Sequence, residues 1–296
     1  MSLKIKTRCN MFKLLCSFLT KHSLFTLTTR FVPIFILFLL MSTPNLNAQR
    51  DLLDKKKSTT CLNRSFTVMV HMLRDTFSDI NANPQDIRDA VELVNIWFEP
   101  ICVDFHIEQI DTIDNFQYNV PESDNELEQL WNYHNEDYRI NLYVVKDLSK
   151  ITDELVFATP DGILETNFGG VIITKMAAAE DPLWLVHGFG HYCGLLNTNT
   201  DFGTELVNGD NCEIAGDQIC DTPADPHDPS TPDNGLDLYY NMECRFIFLP
   251  KDPNNEYYVP QTGNAMSNYP TFCWCGLTFD QFEKMASLIR NSPLFD

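Results

Sequence analysis

Basic residues are scarce in most of this 296-residue chain. Residues 1–48 hold six Lys and Arg and no acidic residue, so the remaining chain has 15 basic residues against 41 acidic ones and a formal net charge of −26. Such a surface repels the phosphate backbone of nucleic acids, which excludes nucleic acid as the main partner. The surplus carboxylates favour solubility and also offer oxygen ligands for calcium.

The apolar run near the N-terminus, Phe31–Met41, has only 11 residues, and crossing a bilayer takes about 20. A basic stretch precedes this run and small or polar residues follow it, which is the pattern of an export signal. We therefore expect residues 1–48 to be a cleaved signal peptide, residues 49–60 a linker and residues 61–296 one domain. The mature protein would be secreted, periplasmic or on the cell surface, with no stable membrane span. A start at Met11 and a retained N-terminal anchor are the open alternatives.

Ten cysteines are present, and two of them lie in the leader. An even set of eight in an exported protein indicates disulfides, which persist in oxidising compartments. Their pairing does not follow from the sequence, and Cys193, on an apolar helix, is also explained as a buried thiol. The eight are Cys61, Cys102, Cys193, Cys212, Cys220, Cys244, Cys273 and Cys275.

The first part of the domain alternates between strand and helix patterns, with no internal repeat. Apolar alternation predicts strands at 65–73, 101–110 and 140–145, and a short buried or edge strand at 169–175. Helix starts are predicted where a capping residue precedes the apolar pattern, with Pro at the first position of the first two. The three caps are Asn83, Asp181 (for a helix that runs to about Leu195) and Thr278.

Residues 197–270 are rich in Asn, Asp, Gly and Pro, and cysteines in and just after this segment can staple it. The sequence therefore predicts one α/β (α+β) domain in two lobes. A mixed twisted sheet with helices forms the N-terminal lobe, and an irregular, disulfide-stapled C-terminal lobe ends in a closing helix.

Two histidines, His187 and His191, lie on one face of the predicted helix, in LWLVHGFGHYCGLLNTNTDFG. Imidazoles at i and i+4 can both reach one zinc ion. Gly194 follows three residues later, where metzincins place a glycine that turns the chain back to bring a third ligand. That third-ligand position is Asn197.

Three motifs in order resemble the pappalysin family of metzincin metallopeptidases, in particular its secreted bacterial members. LVHGFGHYCGLLNT is similar to the family's zinc helix, and ELVNGDNCEIAGDQICDTPADP to its calcium and disulfide segment. NAMSNYPTFCWCGLTFDQFEKM is similar to its Met-turn and closing helix, with Met266 as the Met-turn methionine. The resemblance covers most of the exported part. It implies a metzincin-like fold, a zinc ion, and hydrolysis of a peptide or protein substrate.

Three positions depart from the family pattern. The general-base Glu of the family falls on Gly188, its third zinc histidine on Asn197, and its Met-turn tyrosine on Asn268. Losing a general base costs about 10²–10⁴-fold in rate. A neutral amide is also a poor zinc ligand beside imidazole. We therefore expect zinc to be weakly bound or lost, and catalysis to be absent or severely impaired.

The resemblance also implies a calcium ion bound by the side chains of Asp217 and Thr222 and by the Cys220 carbonyl. It further implies disulfides among Cys212, Cys220, Cys244 and Cys273. The expected pairing joins the first cysteine with the third and the second with the fourth.

The sequence is consistent with three alternative functions. The first is an exported pappalysin-like pseudoenzyme. The second is an active zinc endopeptidase with a rerouted ligand, for which Asp201 is the main candidate, followed by His227 and Asn199; no residue is evident as a replacement base. The third is a non-catalytic surface or binding protein stabilised by calcium and disulfides.

Overall fold

Five strands form the sheet of this protein, in the order β2-β1-β3-β5-β4. A computed structural model describes residues 58–228 and 240–294, so the expected signal peptide and most of the expected linker lie outside the described residues. The first four strands in this order run parallel, and β4 pairs antiparallel with β5 at one edge. The strands are β1 (Arg64–Leu73), β2 (Val103–Ile113), β3 (Ile140–Val145), β4 (Val156–Ala158) and β5 (Val171–Thr174).

The helices begin largely where capping residues predict. Asn83 accepts a hydrogen bond from the Gln85 N–H at the start of α1, and Thr278 forms a capping box with Gln281 at the start of α5. The helices are α1 (Pro84–Phe98), α2 (Asp124–His134), α3 (Lys175–Glu180), α4 (Leu183–Tyr192) and α5 (Phe279–Arg290). Short 3₁₀ turns occupy Glu99–Ile101, Phe116–Asn119, Gly162–Leu164 and Thr271–Cys273.

The helix that carries the two histidines is shorter than expected. It ends at Tyr192 rather than near Leu195, and Pro182, not Asp181, is its N-cap residue. The Asp181 carboxylate instead accepts a hydrogen bond from the Thr271 hydroxyl. Gly194, at φ +88°, turns the chain out of the helix, as the sequence predicts.

Helices cover both faces of the sheet. On one face α1 packs against β2 and α4, and the rings of Phe98, Phe105 and Phe189 meet edge to face, with centroids 4.7 Å apart for the last two. On the other face Leu127 and Trp131 of α2 belong to a second apolar cluster. Burial of these side chains stabilises the N-terminal lobe and fixes α4 against β4 and β5. Among the described residues, no helix is both long and apolar enough to cross a membrane.

Three disulfides join the described cysteines, and two of them correct the expected pairing. Cys212 bonds Cys220 and Cys244 bonds Cys273, with Cα atoms 5.0 and 5.5 Å apart. The first cysteine therefore pairs with the second, across a loop of eight residues, and the third with the fourth, 29 residues apart, because the chain brings these pairs and not the expected ones to bonding distance. Cys61 bonds Cys102, whereas Cys193, which is buried, and Cys275 form no disulfide.

The start of β1 is tied to the end of the chain by Arg64. Its guanidinium donates to the backbone carbonyls of Ile289, Ser292 and Leu294 at 2.9–3.2 Å, and it lies over the Phe66 ring. Ile289 lies in the last turn of α5 and the other two residues follow the helix, where carbonyls lack intrahelical partners.

We expect Arg64→Met to lower the free energy of unfolding by about 2–3 kcal/mol, because hydrogen bonds to a charged donor contribute about 1.5–3 kcal/mol and the carbonyls would lose their partner. Urea denaturation followed by circular dichroism measures the change. Arg88→Met, at an exposed site on α1, is the matched control and should change stability by less than about 0.5 kcal/mol. Equal effects of the two substitutions would contradict the role given to Arg64.

Candidate metal centre

The imidazoles of His187 and His191 are oriented by backbone carbonyls. His187 Nδ1 lies 2.7 Å from the Ala265 carbonyl oxygen, and His191 Nδ1 lies 2.8 Å from that of Leu195. A carbonyl only accepts, so both Nδ1 atoms carry a hydrogen. Histidines that bind metals usually donate their second N–H in this way, which leaves Nε2 as the ligand atom.

The two Nε2 atoms face each other at 2.9 Å. With both hydrogens on Nδ1, two neutral imidazoles would place lone pair against lone pair, which is repulsive unless a proton or a cation lies between them. Burial, and secondarily the charge of His187, lowers the pKa of His191 to about 4. A proton is therefore disfavoured at neutral pH, and the arrangement fits a bound cation.

Glu154 brings a carboxylate to the same point. Its Oε2 lies 3.4 Å from His187 Nε2, and ligand atoms of Glu154, His187 and His191 all lie within 4.8 Å of one another. No other group of three or more His, Cys, Asp or Glu side chains in the described part of the chain meets this criterion. Two imidazoles and one carboxylate are an established ligand set for zinc.

Glu154 is held in its ionised form. Burial raises its pKa, but the contacts with His187 and His191 and a hydrogen bond from the Asn197 amide together outweigh burial and leave the pKa below its usual value. The side chain is 18 % exposed, while that of His187 is fully buried. An ionised carboxylate and imidazoles with an unprotonated Nε2 are the ligand forms that a divalent metal requires.

Gly188 is the point where the edge strand meets α4. A Cβ atom at this position would lie 2.4 Å from Val156 Cγ2 of β4 and 3.2 Å from Val171 Cγ1 of β5. The position of the family's general base is therefore filled by a neighbouring side chain. Glu154 lies two residues before Val156, in the bend that leads into β4, so the packing of Val156 on Gly188 keeps this segment beside the histidines.

Gly190 allows the Met-turn to pack closely against α4, as Gly188 does for β4. A Cβ atom there would lie 2.3 Å from the Met266 sulfur, and Met266 is fully buried. Ala265, next to Met266, provides the carbonyl that orients His187. The two glycines of the helix thus make room for its neighbours, at a cost of roughly 1 kcal/mol each in helix propensity.

Of the residues expected to supply a third metal ligand, only Asn197 lies at the cluster of His187, His191 and Glu154. Asp201 is exposed on a turn and is not part of the cluster. Asn199 donates to the His227 carbonyl at 2.8 Å, and His227 stacks on Tyr269. Asn197 does lie at the cluster, where its Nδ2 donates to Glu154 Oε1 at 3.1 Å.

Neither Asn268, at the expected tyrosine position, nor its neighbour Tyr269 places a phenol hydroxyl at the two histidines. Asn268 carries a buried Oδ1 without a hydrogen-bond partner. The Tyr269 hydroxyl donates to Asp225 Oδ1 at 3.0 Å, and its ring lies in the buried interior of the C-terminal lobe. The missing phenol is therefore not replaced by its neighbour.

Aromatic rings cover His187. The indole of Trp274 stacks on it with centroids 5.3 Å apart and an interplanar angle of 16°. Trp184 packs edge-on against both rings. This cover lowers the local dielectric and strengthens electrostatic interactions within the cluster.

A second cluster of polar groups lies in the irregular lobe. Asp217 and Glu205 are nearly fully buried, and the buried Thr222 Oγ1 has no hydrogen-bond partner. Burial raises the pKa of Asp217 to about 7; burial and the charges of Asp217 and Asp225 raise that of Glu205 to about 8. Buried carboxylates that lack a cation partner are costly, so these oxygen ligands fit a calcium ion.

No family model and no curated protein matches the sequence. The fold, however, matches solved structures. A mutant of promirolysin from Tannerella forsythia aligns over 79 % of this chain and 82 % of its own, with a TM-score of 0.50 and 17 % identity. This chain has a pappalysin-like metallopeptidase fold. Metalloproteinase-II from Bacteroides fragilis aligns over 49 % of this chain and 46 % of its own, with a TM-score of 0.36 and 14 % identity.

Glu154 is the site residue that the sequence does not reveal. It precedes a three-residue strand and lies 33 positions before His187. The one local signal is a carboxylate at the head of the apolar stretch ELVFA, two residues before Val156.

The contact at Gly188 predicts a strong coupling with Val156. Gly188→Ala should lower the free energy of unfolding by about 1–2 kcal/mol, because overpacking outweighs the helix propensity gained. In a Val156→Ala background the clashing Cγ2 is absent, and the same substitution should be neutral or stabilising. A double-mutant cycle by chemical denaturation measures the coupling, which we expect to exceed about 1 kcal/mol. Additive effects would show that β4 does not pack on Gly188.

Proposed function

We propose that this chain is an exported zinc-binding protein of pappalysin-like fold in which His187, His191 and Glu154 hold the metal and peptide hydrolysis is lost. The observation that carries the proposal is the pair of Nε2 atoms facing each other at 2.9 Å, with both Nδ1 atoms committed to carbonyls and an ionised carboxylate beside them. Zinc with an open coordination position activates water and polarises carbonyl groups.

The loss of hydrolysis rests on what surrounds the metal ligands. Position 188 has no side chain, and Val156 fills the space in which a base would lie. Glu154, the one carboxylate of the cluster, is engaged by His187 and Asn197. No phenol from position 268 is available for a developing oxyanion, whose stabilisation is worth about 10²–10³-fold in other enzymes.

Export is supported by the disulfides. Three of them join cysteines of the described residues, and disulfides persist mainly in oxidising compartments. An extracellular location agrees with the signal-like composition of residues 1–48.

Metal analysis of the purified chain should find about one equivalent of zinc. Glu154→Ala should raise the dissociation constant for zinc at least about 100-fold, because the loss of a mere hydrogen-bond partner of a ligand already costs about 10–100-fold. Competition with a zinc indicator dye at neutral pH measures the change.

Asp153→Ala is the matched control, since it removes an exposed neighbouring charge and should leave zinc affinity unchanged. Equal zinc affinity of Glu154→Ala and the wild type would remove Glu154 from the ligand set. Chelator-sensitive cleavage of a peptide library by the zinc-loaded wild type would overturn the inactive part of the proposal.

We further propose that Asp217 and Thr222, with the Cys220 carbonyl, hold a calcium ion, and we add Glu205 to the expected set. The buried position of both carboxylates and the unpartnered Thr222 hydroxyl support this site. The ion would offset a buried negative charge in a lobe that has little regular secondary structure.

Calcium should therefore raise the melting temperature, and more at pH 8 than at pH 6. Without the ion, folded Asp217 and Glu205 keep their protons to about pH 7 and 8, whereas the unfolded chain releases them near pH 4. Stability then falls as pH rises through this window, and an ion that binds the ionised pair opposes the fall. At 100 times the dissociation constant the gain is about 2.7 kcal/mol.

Thermal unfolding with calcium or with a calcium chelator measures the difference. Asp217→Asn should abolish the response to calcium, while Asp210→Asn, in the preceding exposed turn, should keep it. An unchanged response in Asp217→Asn would contradict the site.

A further inference from the structure

The described residues also determine whether a metal at this centre keeps a coordination position for water, as it does in a zinc peptidase. A catalytic zinc has three protein ligands and an exchangeable fourth position, whereas a structural zinc has four protein ligands. The number of protein atoms that converge on His187 and His191 therefore decides what the metal can do.

Asn197 has an oxygen atom to spare at this point. Its Nδ2 donates to Glu154 Oε1 at 3.1 Å, so the amide is anchored beside the carboxylate. Its Oδ1 is buried and has no hydrogen-bond partner. A buried acceptor without a donor is costly, and a cation at the cluster would satisfy it.

The sides of the cluster are covered by protein. Trp274 and Trp184 pack on His187, and the Glu154 carboxylate lies 3.4 Å from the His187 Nε2 atom. Glu154 reaches this place because Val156 packs on the bare backbone of Gly188. The segment before β4 thus lies directly against His187.

We propose that the centre is closed: Glu154 and the Asn197 side-chain oxygen complete a four-ligand site with His187 and His191, and the metal has no exchangeable position. This inference rests on the proposed zinc site and adds to it. The metal then acts as a structural cross-link between α4, the segment before β4 and the loop after α4.

Cobalt(II) substitution tests closure without reference to activity, because the visible bands of the cobalt ion report its ligands. The probe is acetohydroxamate, a small anion that binds metals with a free coordination position. We expect the bands of the wild type to be those of four-coordinate cobalt and to stay unchanged as acetohydroxamate is added.

Asn197→Ala should open the site while His187, His191 and Glu154 remain, so acetohydroxamate should now shift the bands, with a dissociation constant at least about tenfold lower than in the wild type. Glu154→Ala should open it too where cobalt is retained. Thr200→Ala removes a hydroxyl that donates to the Asn197 backbone carbonyl and serves as control, with wild-type behaviour.

The outcomes separate the two proposals. If the wild type binds cobalt and acetohydroxamate shifts its bands as readily as in Asn197→Ala, the site is open and the closure is wrong, while the metal site stands. If the wild type binds neither zinc nor cobalt, the proposed function fails and the closure fails with it.

Discussion

Val156 packs on the bare backbone of Gly188, and this contact sets how closely the edge strand approaches the helix that carries the histidines. With any side chain at 188, β4 would have to move away, and the segment that bears Glu154 would move with it. The glycine is therefore more than the absence of a base. It allows a carboxylate from a different part of the chain to reach His187 and His191.

The substitutions at Gly188 and Asn197 are connected, because both residues lie beside the segment that carries Glu154. The carboxylate that the family places on the helix is replaced by one in the segment before β4, and the histidine expected at 197 is replaced by an amide that donates a hydrogen bond to this carboxylate. Charge near the histidines is kept, but its role changes. A base must be free to accept a proton, whereas Glu154 is engaged on both sides.

Local signals made much of the fold predictable. Caps at Asn83 and Thr278 and the alternation of β1 depend on neighbours in sequence, and these elements appear where expected. Glu154 was not predictable, because its place depends on the order of strands in the sheet and on packing at Gly188. The disulfide pairing failed for a similar reason, since the proximity of Cys212 to Cys220 depends on how an irregular loop turns.

The persistence of two histidines without their base has a physical explanation in this structure. Glu154 and Asn197 are 43 residues apart, and His187 and His191 lie on an element between them. A metal held by all of them closes long loops, whose ordering costs entropy, and converts binding free energy into folding free energy. Under the proposed function, this stabilisation alone would be sufficient reason for the centre to keep its histidines without hydrolysis.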